Sequence, residues 1–212
     1  MGKIKQGILG AVSGKVGSVV GSSWKGIATL RSLAASVANP RTAPQVNART
    51  KFTGIVQFAS KILAEIVKPL WDRFAQQESG YNAFIRRNYS ASNNGGLIDG
   101  NLIVISQGKM TATQIATAVA DISSNTVTIT WADDSGQGFK LTTDVAYIVV
   151  YHSEGNTVVG YSDVSIIRTT ETITIGVDNI QSLESYSCYL AFRRADGTIV
   201  SDSARLEATI QP

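Results

Sequence analysis

Thr126-Val127-Thr128-Ile129-Thr130-Trp131 alternates strictly between polar and apolar side chains, the pattern of a strand with one face in a core. Further on, Val145-Ala146-Tyr147-Ile148-Val149-Val150-Tyr151 is nearly continuous in its apolar character and ends at His152, which predicts a central strand. Residues 133–138 (DDSGQG), 153–156 (SEGN) and 195–197 (ADG) have turn composition. Outward from these, the same reading predicts strands at 102–106, 157–160, 172–175, 188–193 and 198–201. Seven short strands in the last hundred-odd residues is the count of a two-sheet sandwich.

Upstream of residue 97 the character changes. Ser90–Gly96 (SASNNGG) has the composition of a flexible linker, with the boundary expected at 91–96 and residues 97–212 expected to fold alone. Residues 39–90 read as helical. Thr42 and Gln45 have capping-box spacing with Pro44 in the first turn, and Phe52, Ile55, Val56, Ala59, Ile62, Leu63 and Ile66 follow a helical stripe. Pro69 is expected to break or kink that helix near Val67. A second piece carries Leu70, Trp71 and Phe74 and is expected to end at Ser79-Gly80, with 81–88 as a short element leading out. Residues 1–38 repeat glycine at 7, 10, 14, 17 and 21, which disfavours a helix at about 1 kcal/mol for each glycine relative to alanine. An extended arm followed by a hairpin fits better, with strands at 16–24 and 27–33 and Lys25-Gly26 as the turn. An isolated two-stranded hairpin is marginal in water, so this segment needs another surface. The fold expected is mainly β with a helical segment: an N-terminal extended arm and β-hairpin, a kinked helix, and a C-terminal immunoglobulin-like β-sandwich.

Charge is distributed unevenly. Residues 1–90 carry 13 Lys and Arg against Glu65, Asp72 and Glu78, a net of +10; residues 91–212 carry six against 13 acids, a net of −7. The two halves therefore face different environments. Docking of the basic half on acidic surfaces, of other copies or of partners, is the favoured reading; proximity to nucleic acid is the weaker one. The residues expected to meet partners are Lys3, Lys5, Lys15, Trp24, Lys25, Arg31, Arg41, Arg86 and Arg87.

The chemistry-bearing motifs are poor. One histidine and one cysteine exclude paired-cysteine zinc sites and an internal disulfide framework. Gly10-Ala11-Val12-Ser13-Gly14-Lys15 has three residues between its glycines rather than four, and Val16 where a phosphate loop has Ser or Thr. His152 reads as a strand-end residue, Cys188 as a small buried hydrophobe, and Asp133-Asp134 as a turn rather than a calcium site. No enzyme activity, metal or cofactor is expected. Nor is a membrane span or a cleaved leader at Lys3–Val20.

Two resemblances add to this. Tyr186-Ser187-Cys188-Tyr189-Leu190-Ala191-Phe192, followed by Gly197 and Ser203, is similar to the F–G hairpin of a fibronectin type III module, with Leu183 and Tyr186 matching its tyrosine corner. The resemblance implies a buried strand-B tryptophan at Trp131 and a strand-C partner at Tyr147 or Val149; the proline usual before the corner is absent. The pieces Gly2-Lys3-Ile4-Lys5-Gln6-Gly7, Ser13-Gly14-Lys15-Val16-Gly17, Trp24 and Arg31 resemble the opening of an uncharacterised family from Bacteroidetes and their prophages. Asn39-Pro40-Arg41-Thr42, Arg49, Phe52 and Gly80-Tyr81-Asn82-Ala83-Phe84-Ile85-Arg86-Arg87-Asn88 resemble motifs of small phage structural proteins. That resemblance implies a virion location and a structural role in capsid, neck or tail, with other copies and other virion proteins as partners. The alternatives are a surface-binding module for glycan or host protein, for which Phe139 and Tyr161 are the candidate aromatics, and a nucleic acid packaging factor.

Overall fold

The computed structural model describes residues 3–4, 10–24, 27–36, 39–178, 180 and 185–211. They form two compact units, 1–42 and 43–212, and the described part is mainly β, with three sheets and a few helices.

The first unit is a single sheet of order β1-β2-β3-β4, comprising β1 (Lys3–Ile4), β2 (Val12–Val16), β3 (Val19–Trp24) and β4 (Ile27–Ser32). Every pairing in it is antiparallel. The expected hairpin is β3–β4, whose register brings Trp24 opposite Ile27; its turn at Lys25-Gly26 lies outside the described residues, as does Lys5. The expected arm is itself partly strand. A second two-residue loop, Gly17-Ser18, joins β2 to β3, and Gly17 at its first central position has φ +57°. Glycine there is what a hairpin turn matched to strand twist demands.

The second unit contains two four-stranded sheets. One has the order β12-β5-β6-β9, from β5 (Ala116–Asp121), β6 (Thr126–Trp131), β9 (Thr172–Gly176) and β12 (Thr209–Gln211). The other has the order β11-β10-β7-β8, from β7 (Val145–His152), β8 (Thr157–Ile167), β10 (Tyr186–Arg193) and β11 (Ala204–Glu207). Their facing sides share one core: Ala118, Val127, Ile129 and Trp131 meet Ala146, Ile148, Val150, Cys188, Leu190 and Phe192. Trp131 packs edge-on to Phe192 at 5.8 Å, and its Nε1 donates to the Arg168 carbonyl at 2.7 Å. Tyr147 and Val149, the expected strand-C partners of Trp131, point the other way. Strand alternation sends the odd residues of β7 to the opposite face and leaves Ala146, Ile148 and Val150 beneath the tryptophan. Leu183, the other half of the expected tyrosine corner, lies outside the described residues. Tyr186 is buried and stacks on His152 at 4.8 Å.

A second core lies on that opposite face. Helix α1 (Ala43–Lys61), a wider-wound segment Leu63–Val67, α2 (Lys68–Trp71) and α3 (Gly80–Asn88) cover the β7–β10 sheet. Ile55, Phe58, Ile62, Ile66, Leu70 and Phe84 pack there on Tyr147, Val149, Tyr151 and Tyr189. Phe58 meets Tyr151 edge-on at 5.4 Å. The helices come down so closely that a Cβ on Gly160 of β8 would sit 3.0 Å from Ile66. At Pro69 the chain does not break. The Val67 N–H reaches back five residues to the Ile62 carbonyl at 3.1 Å, so the extra residue is absorbed just before a proline that would clash with the regular ladder. Ser79 does not end a helix but starts one: its Oγ accepts from the Asn82 N–H at 3.2 Å as the N-cap of α3.

The expected boundary at 91–96 is displaced to Thr42. Ala91 and Ser92 are buried, and the Asn93 side chain accepts from the N–H groups of Gly95 and Leu97. The stretch predicted as a strand at 102–106 is instead a strap pinned under the helices. Asn88, wholly buried, accepts from the Val104 N–H at 2.7 Å and donates back to the Val104 carbonyl at 3.0 Å, and Trp71 Nε1 donates to the Ile105 carbonyl at 2.8 Å. Glycine- and asparagine-rich composition here marks tight turns rather than freedom. One strand is added to those expected, and one expected strand shifts. Strand β5 occupies an alanine-rich run, where Ala118 and Ala120 fit beneath the opposing sheet. The residues at 198–201 make only isolated bridges, and the last edge falls to β11 and β12.

One end of the sandwich is closed by buried charge. The Arg168 guanidinium is fully buried. It bonds Asp134 and Asp144, the latter at 3.2 Å, donates to Thr113 Oγ1 at 3.2 Å, and lies 3.9 Å from the centre of the Phe192 ring. Lys140 bonds the other oxygen of Asp134 at 2.6 Å. Burial works against the Asp134 carboxylate, but the Lys140 hydrogen bond and the Arg168 charge outweigh it and hold its pKa below the usual range. The turn expected at Asp133-Asp134 therefore also supplies one arm of a salt-bridge network.

Candidate interaction surface

The first unit has almost nothing buried: among its described side chains only Gly21 is enclosed, and all six residues of β4 are exposed. The register sorts its residues onto two unlike faces, because directly opposed residues in an antiparallel pair share a face. Lys15, Val20 and Arg31 stand in one row, continued by the pair Ser22 and Thr29, whose hydroxyls are 2.8 Å apart, and by Ile27. The other face holds Val16, Val19 and Ser32, then Gly14, Gly21 and Leu30, then Ser23 and Ala28, with no charge among them. Leu30 is 66% exposed and Ile27 62%. Gly14, at φ +100°, bends β2 across the uncharged face, and a Cβ on Gly21 would run into the Val12 carbonyl there. Gly21 thus permits a close backbone approach that no other residue allows.

The residues expected to meet partners fall in different places. Lys15 and Arg31 are exposed on the charged face, on either side of Val20. Lys3 sits opposite Ser13 in register, and Trp24 ends β3. Arg41 is exposed in the stretch before α1. Arg86 and Arg87 belong to α3 in the second unit. Arg86 bonds Glu78 at 2.5 Å with its side chain 73% exposed, and that hydrogen bond raises the guanidinium pKa further. Arg87 Nε donates to Gln107 at 3.1 Å. These two are helix-end charges tied to their own unit. What the sequence reading missed is the uncharged face of the sheet; the two-residue loop spacing at Gly17-Ser18, joined to the alternation in β3 and β4, was the signal that would have shown it.

His152 closes β7 in its stack with Tyr186. Cys188 is buried between the sheets, and burial pushes its thiol pKa up to about 12. Of the two aromatics considered for surface recognition, Phe139 is exposed while Tyr161 packs against the inter-sheet core. Among the described residues no three His, Cys, Asp or Glu side chains gather as a metal site would need, and no helix is long and apolar enough to cross a membrane.

Residues 10–207 match a family of unknown function, DUF6266. The chain belongs to that family. The match takes in both units, so the sheet and the helix-covered sandwich are parts of one family pattern. No curated protein matches the chain. A solved structure, the fn3 domain of human collagen alpha-1(XX) chain, is similar at 12% identity and a TM-score of 0.32, over 47% of this chain and 82% of that one.

Proposed function

We propose that this protein is a structural component of a bacteriophage virion, assembling through its N-terminal sheet. The observation that carries the reading is a four-stranded sheet whose described side chains are almost all exposed. A sheet must bury a face against another layer to be stable, and among the described residues of this unit only Gly21 is enclosed. Its charge fits an assembly role: residues 1–42 hold six Lys and Arg and no acid, whereas residues 91–212 are acidic overall. The Lys15–Arg31 face suits acidic partners, either neighbouring copies or other virion proteins. The sandwich is read as an immunoglobulin-like module of fibronectin type III arrangement, supported by its strand order of three strands plus an edge segment facing four. The sequence motifs at residues 2–31 and 39–88 support the phage setting. The rival reading, a display module for glycan or host surface, has Phe139 as its exposed aromatic.

The test is incorporation. Particles induced from a strain encoding the protein are purified, and the copy number of full-length protein is compared with that of a deletion of residues 2–38. The deletion is expected to leave 43–212 folded and to be absent from particles. Incorporation at the full-length level would overturn the assembly role and favour the display reading. Replacement of Lys15 and Arg31 by Gln is expected to weaken incorporation in a salt-sensitive way, because exposed charges are screened over about 8–10 Å at ordinary ionic strength.

A further inference from the structure

Strand β4 ends its sheet, and its free edge has a defined chemistry. The Leu33 N–H bonds the Ser18 carbonyl at 2.6 Å, which fixes the alternation along the hairpin. Residues in step with Leu33, namely Ile27, Thr29 and Arg31, turn their backbone groups toward β3. Ala28, Leu30 and Ser32 therefore turn theirs outward from the sheet. Natural edge strands are blunted by charged side chains, by proline, by bulges or by brevity. The six residues of β4, Ile27-Ala28-Thr29-Leu30-Arg31-Ser32, have no proline and an unbroken register with β3, and their single charge lies on the opposite face from Leu30.

We propose that β4 pairs antiparallel with β4 of a second copy about a two-fold axis at Leu30, joining two sheets into one. This rests on the assembly reading above and names the partner and the contact. The register is self-complementary. Leu30 faces Leu30 of the second copy, Ala28 faces Ser32, and each exchanges the backbone bonds it presents outward. Thr29 then faces Arg31, so the two arginines are not opposed, and like charges directly across a pair are what such an edge must avoid. The same register makes the uncharged faces of the two sheets continuous, bringing both sets of Val16, Val19 and Leu30 to one side. Another extended chain would match the backbone, but a second copy matches both the hydrogen-bond alternation and the placement of charge.

Two cationic sheets repel, so this contact strengthens or holds as salt rises, whereas docking of the Lys15–Arg31 face on an acidic partner weakens. The experiment uses the full chain. Sedimentation over a range of concentrations, at low and at high sodium chloride, is expected to show a dimer at least as strong at high salt. Leu30→Pro removes an outward N–H without touching a bond to β3, and is expected to weaken dimerisation tenfold or more with the melting of 43–212 unchanged. Opposed hydrogen-bonded residues lie about 5.5 Å apart between Cα atoms, within reach of a disulfide. Leu30→Cys is therefore expected to give a covalent dimer on mild oxidation and Thr29→Cys is not, Cys188 being buried. A wild-type chain that stays monomeric at both salts, equal dimerisation by Leu30→Pro, or equal cross-linking of the two cysteine variants would overturn the proposal and assign the edge to a different chain. The virion reading is tested independently by the particle assay: a monomeric chain that still enters particles refutes the pairing alone, and a dimer absent from particles refutes the virion role alone.

Discussion

Strands β4 and β7 are both antiparallel β-structure, yet they sit at opposite extremes of burial. All six residues of β4 are exposed, while seven of the eight in β7 are buried, on both faces. Both belong to four-stranded sheets, but β7 is paired along both sides, by β10 and β8, whereas β4 ends its sheet. The burial of their side chains differs because of the number of layers. The sheet of β7 is sandwiched between helices on one side and a second sheet on the other, and its apolar area is removed from water twice. Among the described residues of its unit, the sheet of β4 buries only Gly21. The same secondary structure is thus a core in one unit and an unsatisfied surface in the other.

The most severe way to break this contrast is to strip β7 of one layer. A fragment of residues 97–212 lacks α1, α2 and α3 and bares Tyr147, Val149, Tyr151 and Tyr189. It is expected to aggregate or to bind a hydrophobic dye and melt without cooperativity, while 43–212 melts as the full chain does; calorimetry of the two fragments decides. Next in size is Arg168→Met. It leaves the Asp134 and Asp144 carboxylates in place without their buried cation and is expected to cost about 3–5 kcal/mol in urea denaturation. Acid probes the same network more gently. The Asp134 pKa is depressed in the folded state, so its contribution is present above the unfolded carboxylate pKa and is lost as pH falls through the folded value. Asp134→Asn is expected to lower stability at neutral pH and to flatten the acid limb of a melting-versus-pH curve. The smallest effect belongs to the exposed sheet: Leu30→Ala is expected to change the melting of the second unit by less than about 0.5 kcal/mol. A large loss there would mean that Leu30 contributes to a core, and the contrast between β4 and β7 would fail.

Legibility in the sequence followed burial. Strands β6 and β7 were readable because their side chains announce one buried face or two. The 3–4 spacing from Ile55 to Ile66 announced the buried stripe of α1 and of the wider-wound segment after it, although Phe52, expected to begin that stripe, is exposed. Strand β5 was not, since alanines at 118 and 120 carry no β signal and are chosen for the narrow space under the opposite sheet. The helix-to-sheet contact was hidden because nothing local in the run from Ser90 to Gly96 distinguishes a loose linker from a packed turn; the difference lies in Thr50 and Gly54, which approach from elsewhere in the chain. The burial of Arg168 and Asp144 had no signal in the sequence, since a buried pair leaves no periodic trace. At the sheet, the basic residues were visible by count, but the separation of charge onto one face required the register of Lys15 with Val20 and of Val20 with Arg31.

The double burial of β7 has a consequence for how the chain avoids misalignment. In a half-exposed strand, sliding by one residue is penalised because polar groups enter the core. Here both environments are apolar, so polarity offers no such check. Size does instead. Tyr147 and Tyr151 fill the helix side, and Ala146, Ile148 and Val150 fill the narrower gap against the second sheet. A slip would drive two phenol rings into the tighter space and leave alanine and valine rattling in the wider one. Alignment of this strand is proofread by volume, and substitutions that equalise the two sides, such as Ala146→Phe with Tyr147→Ala, would erase the check without changing the composition of either core from apolar.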